Sequence, residues 1–178
     1  LLLPRDVDVA ARPVDCKGMC TTGPDDPHDV YWRELCEICG VRYDDIPWIP
    51  SHVDNVRAKA SYNGGLVVVR SDRGILRRWS DLFLASVRAG LRPRAEAVAF
   101  RSSTGPVAAA ASKLWGSNQA ALSLAIWSTT RRVQTLEPTY NYPLHAHEAL
   151  GERRAMDFDQ LVHVHYHWLF EADAIADC

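Results

Sequence analysis

Four short stretches of this chain carry residue types that can do chemistry. Near its end, His163, His165 and His167 alternate with Val162, Val164 and Tyr166, so on a strand the three imidazoles share one face. Imidazole is a good ligand for divalent ions of borderline softness. Side chains at i and i+4 of a strand stand about 13 Å apart, so one ion can take only neighbouring members, with help from elsewhere. Near the beginning, Asp6 and Asp8 are hard carboxylates two residues apart, a spacing able to bridge a divalent cation to phosphate oxygens. A solvated strand edge is the competing explanation for that pair. Cys16, Cys20, Cys36 and Cys39 follow a C-x3-C then C-x2-C pattern, one residue longer in its first pair than a common four-thiolate zinc site. Asn118 and Gln119 open an expected helix, where unpaired backbone N–H groups favour an anionic ligand. An amide at Asn118 can hydrogen-bond a hydroxyl but cannot act as a base.

The elements that must position these groups are legible from periodicity and punctuation. Ser61-Tyr62-Asn63-Gly64-Gly65 runs into Leu66–Val69, a branched aliphatic run of the kind expected for a strand buried on both faces. Gly64 and Gly65 lack a Cβ, so another group can approach this backbone closely, beside the Asn63 amide. Ser71 and Asp72 then precede Ile75, Trp79, Leu82, Phe83 and Val87 at helical spacing, with Gly90 as a stop. A second helix is expected after Asp26 and Pro27, carrying Tyr31, Trp32, Leu35 and Ile38 on one stripe and ending at Gly40. Cys36 and Cys39 fall on its buried side, where free thiols pack as small hydrophobes. Ser117 is expected to cap a third helix from Asn118 to about Ser128, with a short alanine-rich helix over 107–115 before it. Val133–Leu136 reads as a short strand and Tyr140-Asn141-Tyr142-Pro143 as a turn. The segments 40–60 and 90–106 read as loops. Trp48, between Pro47 and Pro50, is either a structural plug or the wall of a ligand site. Arg57 and Lys59 are either solvated cations or partners for a diphosphate.

Composition excludes several function classes. The 178 residues suit a single domain with a core of its own, and 47% hydrophobic with 24% charged residues is ordinary for a globular chain. A formal net charge of −2 supplies no electrostatic footprint for nucleic acid. No apolar run approaches the roughly 20 residues of a membrane span.

Tyr62-Asn63-Gly64-Gly65-Leu66-Val67-Val68-Val69-Arg70, with Trp79 shortly after, resembles the Phe-Asn-(Ala/Ser)-Gly-aliphatic segment of GT-A type nucleotide-sugar glycosyltransferases. Asn118-Gln119 resembles the Asp-Gln pair of that superfamily, Leu136 to Asn141 its Leu-Pro-x-x-(Tyr/Phe)-Asn segment, and His163 to His167 the strand with a metal-ligating His. The four segments occur in the same order and cover roughly residues 60–170. The resemblance implies an α/β fold, a mixed sheet flanked by helices, corresponding to the C-terminal, acceptor-side part of the GT-A fold. It implies sugar transfer from a nucleotide-diphosphate sugar to a hydroxyl acceptor with Mn or Mg. Asn118 and Gln119 would serve at the reacting sugar, and Asn63, Gly64, Gly65, Tyr140 and Asn141 would bind the donor. The metal would be held by His165, then His163, with Asp6 and Asp8 as the weaker pair, since their triplet spells the Asp-x-Asp motif. Asn118 departs from the family pattern, which has Asp there. Because the chain opens inside what reads as a strand, the expectation is a fragment of a larger catalytic domain, inactive alone if the donor half is missing. A missing N-terminal part could also carry targeting or an anchor. Two alternatives stand beside this reading. One is a zinc-stabilised, non-catalytic interaction module built on the four cysteines. The other is a metal-dependent hydrolase, which would need a carboxylate near His163 or His165, with Asp157, Asp159 and Glu171 at hand.

Overall fold

A computed structural model describes residues 2–94, 101–102, 105–106 and 108–165. The elements are β1 (Val9–Pro13), α1 (Asp29–Ile38), β2 (Trp48–Pro50), β3 (Arg57–Lys59), β4 (Tyr62–Val69), α2 (Ile75–Arg88), β5 (Arg101–Ser102), β6 (Gly105–Pro106), α3 (Ala109–Ser112), α4 (Ser117–Trp127), β7 (Val133–Thr135), β8 (Tyr142–Pro143), α5 (His147–Leu150) and β9 (Val164–His165). The architecture is α/β with a mixed sheet and helices. Its principal sheet has the order β4-β1-β7, with β1 antiparallel to β4 and parallel to β7. The pairs β2–β3, β5–β6 and β8–β9 are two-stranded, the last of them parallel.

The central strand is β1, whose Val9, Ala10, Ala11 and Arg12 are all buried. Its register sets Val9 against Val69 and Val133, and Ala11 against Val67 and Thr135. Successive strand side chains alternate between faces. Val9, Ala11, Val67, Val69 and Val133 therefore share one face, and they pack in one cluster with Trp32 and Leu35 of α1, Ile75 and Leu82 of α2, and α4. Ala120 to Ile126 are buried without interruption, so α4 is enclosed on all sides and needs no amphipathic stripe. Each of Leu122, Leu124 and Ile126 stabilises the fold by about 1.5–3 kcal/mol through burial. The one polar group in that stretch, Ser123, is satisfied by donating its hydroxyl to the Ala60 carbonyl.

Several elements differ from expectation. The aliphatic run Leu66–Val69 belongs to an eight-residue strand whose last four residues are only half buried. Among the described residues β4 pairs on one side alone, so the strand buried on both faces is β1 instead. The helix after it starts at Ile75, past a left-handed Gly74 (φ 67°) and a 3-10 turn at Ser71–Arg73. Ser117 does not cap α4; its hydroxyl donates back to the Leu114 carbonyl at 2.6 Å, and Gly116 takes the cap position at φ 84°. Asp26 lies ahead of α1 and accepts the His28 N–H at 2.9 Å. The segment 40–60 contains the β2–β3 hairpin. There Lys59 is no solvated cation. It is 2% exposed, and its ammonium donates to the carbonyls of Tyr43 at 3.0 Å and Ile46 at 2.8 Å. The rings of Tyr43 and Trp48 cover that ammonium at 4.1 and 4.4 Å, so Trp48 serves as a cation–π partner.

Candidate metal centre

The site lies just beyond the end of β1. An irregularity between Ala11 and Pro13 buries Arg12 completely, and the chain then turns through Val14 and Asp15. That turn is held by backbone bonds from Val14 N–H to Ser61 at 3.0 Å, His52 N–H to Val14 at 2.8 Å and Val53 N–H to Asp15 at 2.7 Å. The Arg12 guanidinium donates to Asp15 Oδ1 at 2.7 Å, which leaves Oδ2 to face the histidines. Carboxylates just beyond the carboxyl end of a strand are well placed for ligands in α/β proteins.

The histidines come from a second unit. Tyr142–Pro143 of β8 pairs with Val164–His165 of β9, and the turn directly after β8, Leu144–Ala146, carries His145. Both imidazoles thereby arrive on one small platform opposite Asp15. His145 Nε2 and His165 Nδ1 each lie 3.6 Å from Asp15 Oδ2, and the three ligand atoms are all within 4.8 Å of one another. Ligands at about 2.1 Å around a four-coordinate ion stand about 3.4 Å apart, so the two 3.6 Å separations from Asp15 are close to those of a shared ion.

Asn63 sits between two of them. Its Nδ2 donates to His165 Nδ1 at 2.8 Å and to Asp15 Oδ2 at 3.2 Å. The orientation of the amide is set by the Gly65 N–H, which donates to Asn63 Oδ1 at 3.0 Å. His165 Nδ1 is therefore the acceptor nitrogen, with its lone pair turned toward the Asn63 amide. Burial opposes ionisation of Asp15, but contact with His165 and the charge of Arg12 outweigh it and hold the carboxyl below its usual range. For His145 burial is the largest influence and pulls its pKa down, which favours the neutral, ligand-competent imidazole. A carboxylate and two imidazoles form a donor set that fits a divalent cation.

Gly65 makes this packing possible. A Cβ there would stand 2.5 Å from Asn141 Oδ1, 3.1 Å from His165 Cδ2 and 3.3 Å from Asn63 Oδ1. Asn141 is fully buried with a left-handed φ of 54°, a conformation asparagine tolerates better than most residues. Its amide has no hydrogen-bond partner among the described residues. Beside the cluster opens a cavity of about 260 Å³, walled by Asp15, Asn63, His145, His165, Gln119 and Trp115. Its floor is held by Trp32, whose indole N–H donates to the Met19 carbonyl at 2.8 Å.

Asn63, Gly65, Gln119, Asn141 and His165 thus gather at one locus, while other sequence candidates lie elsewhere. Asn118 is exposed, accepts the Gln119 N–H on its own side chain at 2.9 Å and offers its carbonyl to Trp79. Gly64 has nothing within 4 Å of its Cβ position. Tyr140 is half buried, its N–H donating to the Glu137 carbonyl at 2.9 Å. His163 is outside the cluster, and its Nδ1 is buried. His167 and Glu171 lie outside the described residues. Asp8 is no cation ligand: it accepts the Thr130 hydroxyl at 2.7 Å and lies 3.1 Å from Arg73 and 3.2 Å from Arg132. Guanidiniums around that carboxylate repel a metal ion, and Asp6 beside it is exposed. The four described cysteines are free, with Cys16 exposed and Cys20 and Cys36 buried. They form no ligand cluster among the described residues.

No sequence pattern marks Asp15 or His145 as a ligand. Pro13-Val14-Asp15-Cys16 draws attention to its cysteine, and the one available signal for Asp15 is its place just past a short strand.

Compared with protein-family models, curated proteins and solved structures, the chain matches none. No helix among the described residues is long and apolar enough to cross a membrane.

Proposed function

We propose that the chain is the acceptor-side part of a GT-A type glycosyltransferase. It would transfer a sugar from a nucleotide-diphosphate sugar to a hydroxyl, with a divalent cation such as Mn or Mg at Asp15 and His165. One observation carries this reading. The four stretches that resemble the superfamily lie up to a hundred residues apart in sequence, yet Asn63 and Gly65, Gln119, Asn141 and His165 meet around one cavity and its neighbouring cluster. A cation there would neutralise the charge that develops on the departing diphosphate. Asn63 orients the carboxylate and the imidazole toward each other. Gln119 supplies an amide at the cavity wall able to donate to and accept from sugar hydroxyls. Asp15 is the sole carboxylate lining the cavity among the described residues, and it is engaged by Arg12. The protein's contribution is therefore positioning and electrostatics rather than base catalysis.

Calorimetric titration with a panel of nucleotide-diphosphate sugars, with and without Mn, tests the reading. Metal-dependent binding that is lost in Asp15→Ala and His165→Ala is expected. Absence of binding both by this chain and by a version extended upstream, or binding indifferent to both substitutions, overturns it. Asp15 is also the carboxylate that a metal-dependent hydrolase would need beside His165. Release of free sugar with no acceptor present would decide for that second reading.

A further inference from the structure

We infer that His145 completes the centre as its third ligand, and that the resulting set of two imidazoles and one carboxylate selects transition ions over Mg. This rests on the metal reading of the preceding section and specifies the ion.

The first support is geometric. His145 Nε2 is as close to Asp15 Oδ2 as His165 Nδ1 is, at 3.6 Å in both cases. The two imidazoles meet edge to face, with centroids 5.7 Å apart and planes at 82°. Rings in that relation can direct ring nitrogens at a common point, which stacked rings cannot. The second support is the way the residues are delivered. His145 and His165 belong to the same β8–β9 unit, so their separation is set locally, while Asp15 is held from the other side by Arg12 and the pinned turn.

The third support is the chemistry of the donors. Mg binds through oxygen, demands near-octahedral geometry and gives up water reluctantly. Imidazole nitrogen instead suits Zn, Co and their neighbours, whose affinities rise along the series from Mn toward Cu. With two nitrogens and one oxygen from the protein, the centre is a poor match for Mg. Asn63 sharpens the discrimination. Its amide nitrogen stands 2.8 Å from one ligand atom and 3.2 Å from another, close to where a cation would bridge them. An ion has to displace that amide, and weakly bound Mg has the least interaction energy with which to do so.

Titration of the chelator-treated chain with Zn, Co, Mn and Mg tests this by calorimetry, with the Co complex also followed by its visible absorption. The expected result is one ion per chain, with Co and Zn tighter than Mn and Mn at least tenfold tighter than Mg. The Co spectrum should lack the intense near-ultraviolet absorption of thiolate ligation, which separates this centre from binding by Cys16 or Cys20. His145→Ala and His145→Asn should each weaken Co and Zn tenfold or more and shrink the preference over Mg. Because the wild-type ranking is itself a readout, the inference stays testable if either variant folds poorly. Mg binding as tightly as Mn, a thiolate spectrum, or affinities unchanged by loss of the imidazole would overturn the three-ligand centre and leave a two-ligand site at Asp15 and His165 standing. If no ion binds, both that site and this inference fall.

Discussion

Replacing Gly65 with alanine tests the packing that holds the centre together, and Gly64 beside it supplies the control. At Gly65 a methyl group would sit 2.5 Å from Asn141 Oδ1 and 3.1 Å from His165 Cδ2, whereas carbon contacts are comfortable at about 3.5–4.0 Å. The Asn141 amide oxygen has to retreat by roughly an ångström and the His165 ring by a few tenths. Asn141 is fully buried and already in a left-handed backbone conformation, so it yields only at a cost in stability, and the imidazole has to give way as well. Overpacking of this kind costs about 1–3 kcal/mol. Removing a glycine from a strand interior returns about 0.5–1 kcal/mol. The net expectation is a loss of about 1–2 kcal/mol, or roughly 2–8 °C in melting temperature for a chain of this size. At Gly64 nothing lies within 4 Å of the new atom, so only the favourable backbone effect remains and the melting temperature should hold or rise. Urea denaturation of both variants measures stability, and Co titration measures displacement of His165, with at least tenfold weaker binding expected for Gly65→Ala alone. Equal stability and equal Co affinity in the two variants would refute the close approach of Asn141 and His165 to this backbone.

Three further outcomes follow from particular contacts. Asn63→Asp sets a second carboxylate beside Asp15, so with chelator its urea midpoint should fall below that of the wild type. At one fixed Co concentration the variant should then gain more stability than the wild type, an ion at a hundred times its dissociation constant being worth about 2.7 kcal/mol; no ion-dependent rise would refute the placement of Asn63 at the ion's position. Asp26 lies in a nest of donors: burial pushes its carboxyl up, but Lys17, the His28 N–H and Thr22 outweigh this and bring it down to about 2. A carboxyl lowered in the folded state contributes stability above its unfolded value of about 3.9, and that contribution disappears as the pH falls toward 2. Asp26→Asn should therefore cost about 2 kcal/mol at pH 7 and converge with the wild type near pH 2 in urea titrations; a constant difference across that range would refute the assignment. Asp8→Asn should lower the melting temperature by leaving Arg73 and Arg132 without their shared counter-charge. Co affinity should not change, and a fall in it would return Asp8 to the list of ligands.

Much of the local structure was legible in the sequence because its signals are local. The Tyr31, Trp32 and Leu35 stripe, the Ile75 to Val87 periodicity and the enclosed run of α4 all lie within single helices. The depth of β4 was not legible, since four consecutive aliphatic residues look alike on a half-buried edge and in a sheet centre. The register that makes β1 central depends on pairing across sixty residues with β4 and more than a hundred with β7. The metal centre divides in the same way. His165, Asn63 and Gly65 stood out through short patterns, but Asp15 and His145 have no pattern of their own. They acquire a role only when the β8–β9 unit faces the end of β1, and that apposition is written in tertiary packing rather than in spacing.

Lys59 has a consequence for following this protein in solution. The chain contains three lysines, at 17, 59 and 113, and only Lys59 is enclosed between two aromatic rings and two carbonyls. An amine-acylating reagent should modify Lys113 first, then Lys17, which is ion-paired with Asp26, and reach Lys59 only when the β2–β3 hairpin lifts away from Tyr43. The rate of labelling at that one nitrogen, read by peptide mass mapping, therefore acts as a clock for opening of the hairpin. A clock that runs at the same speed with and without Co would place the hairpin and the metal centre in separately opening parts of the fold. One that slows when Co is bound would place them in the same cooperative unit.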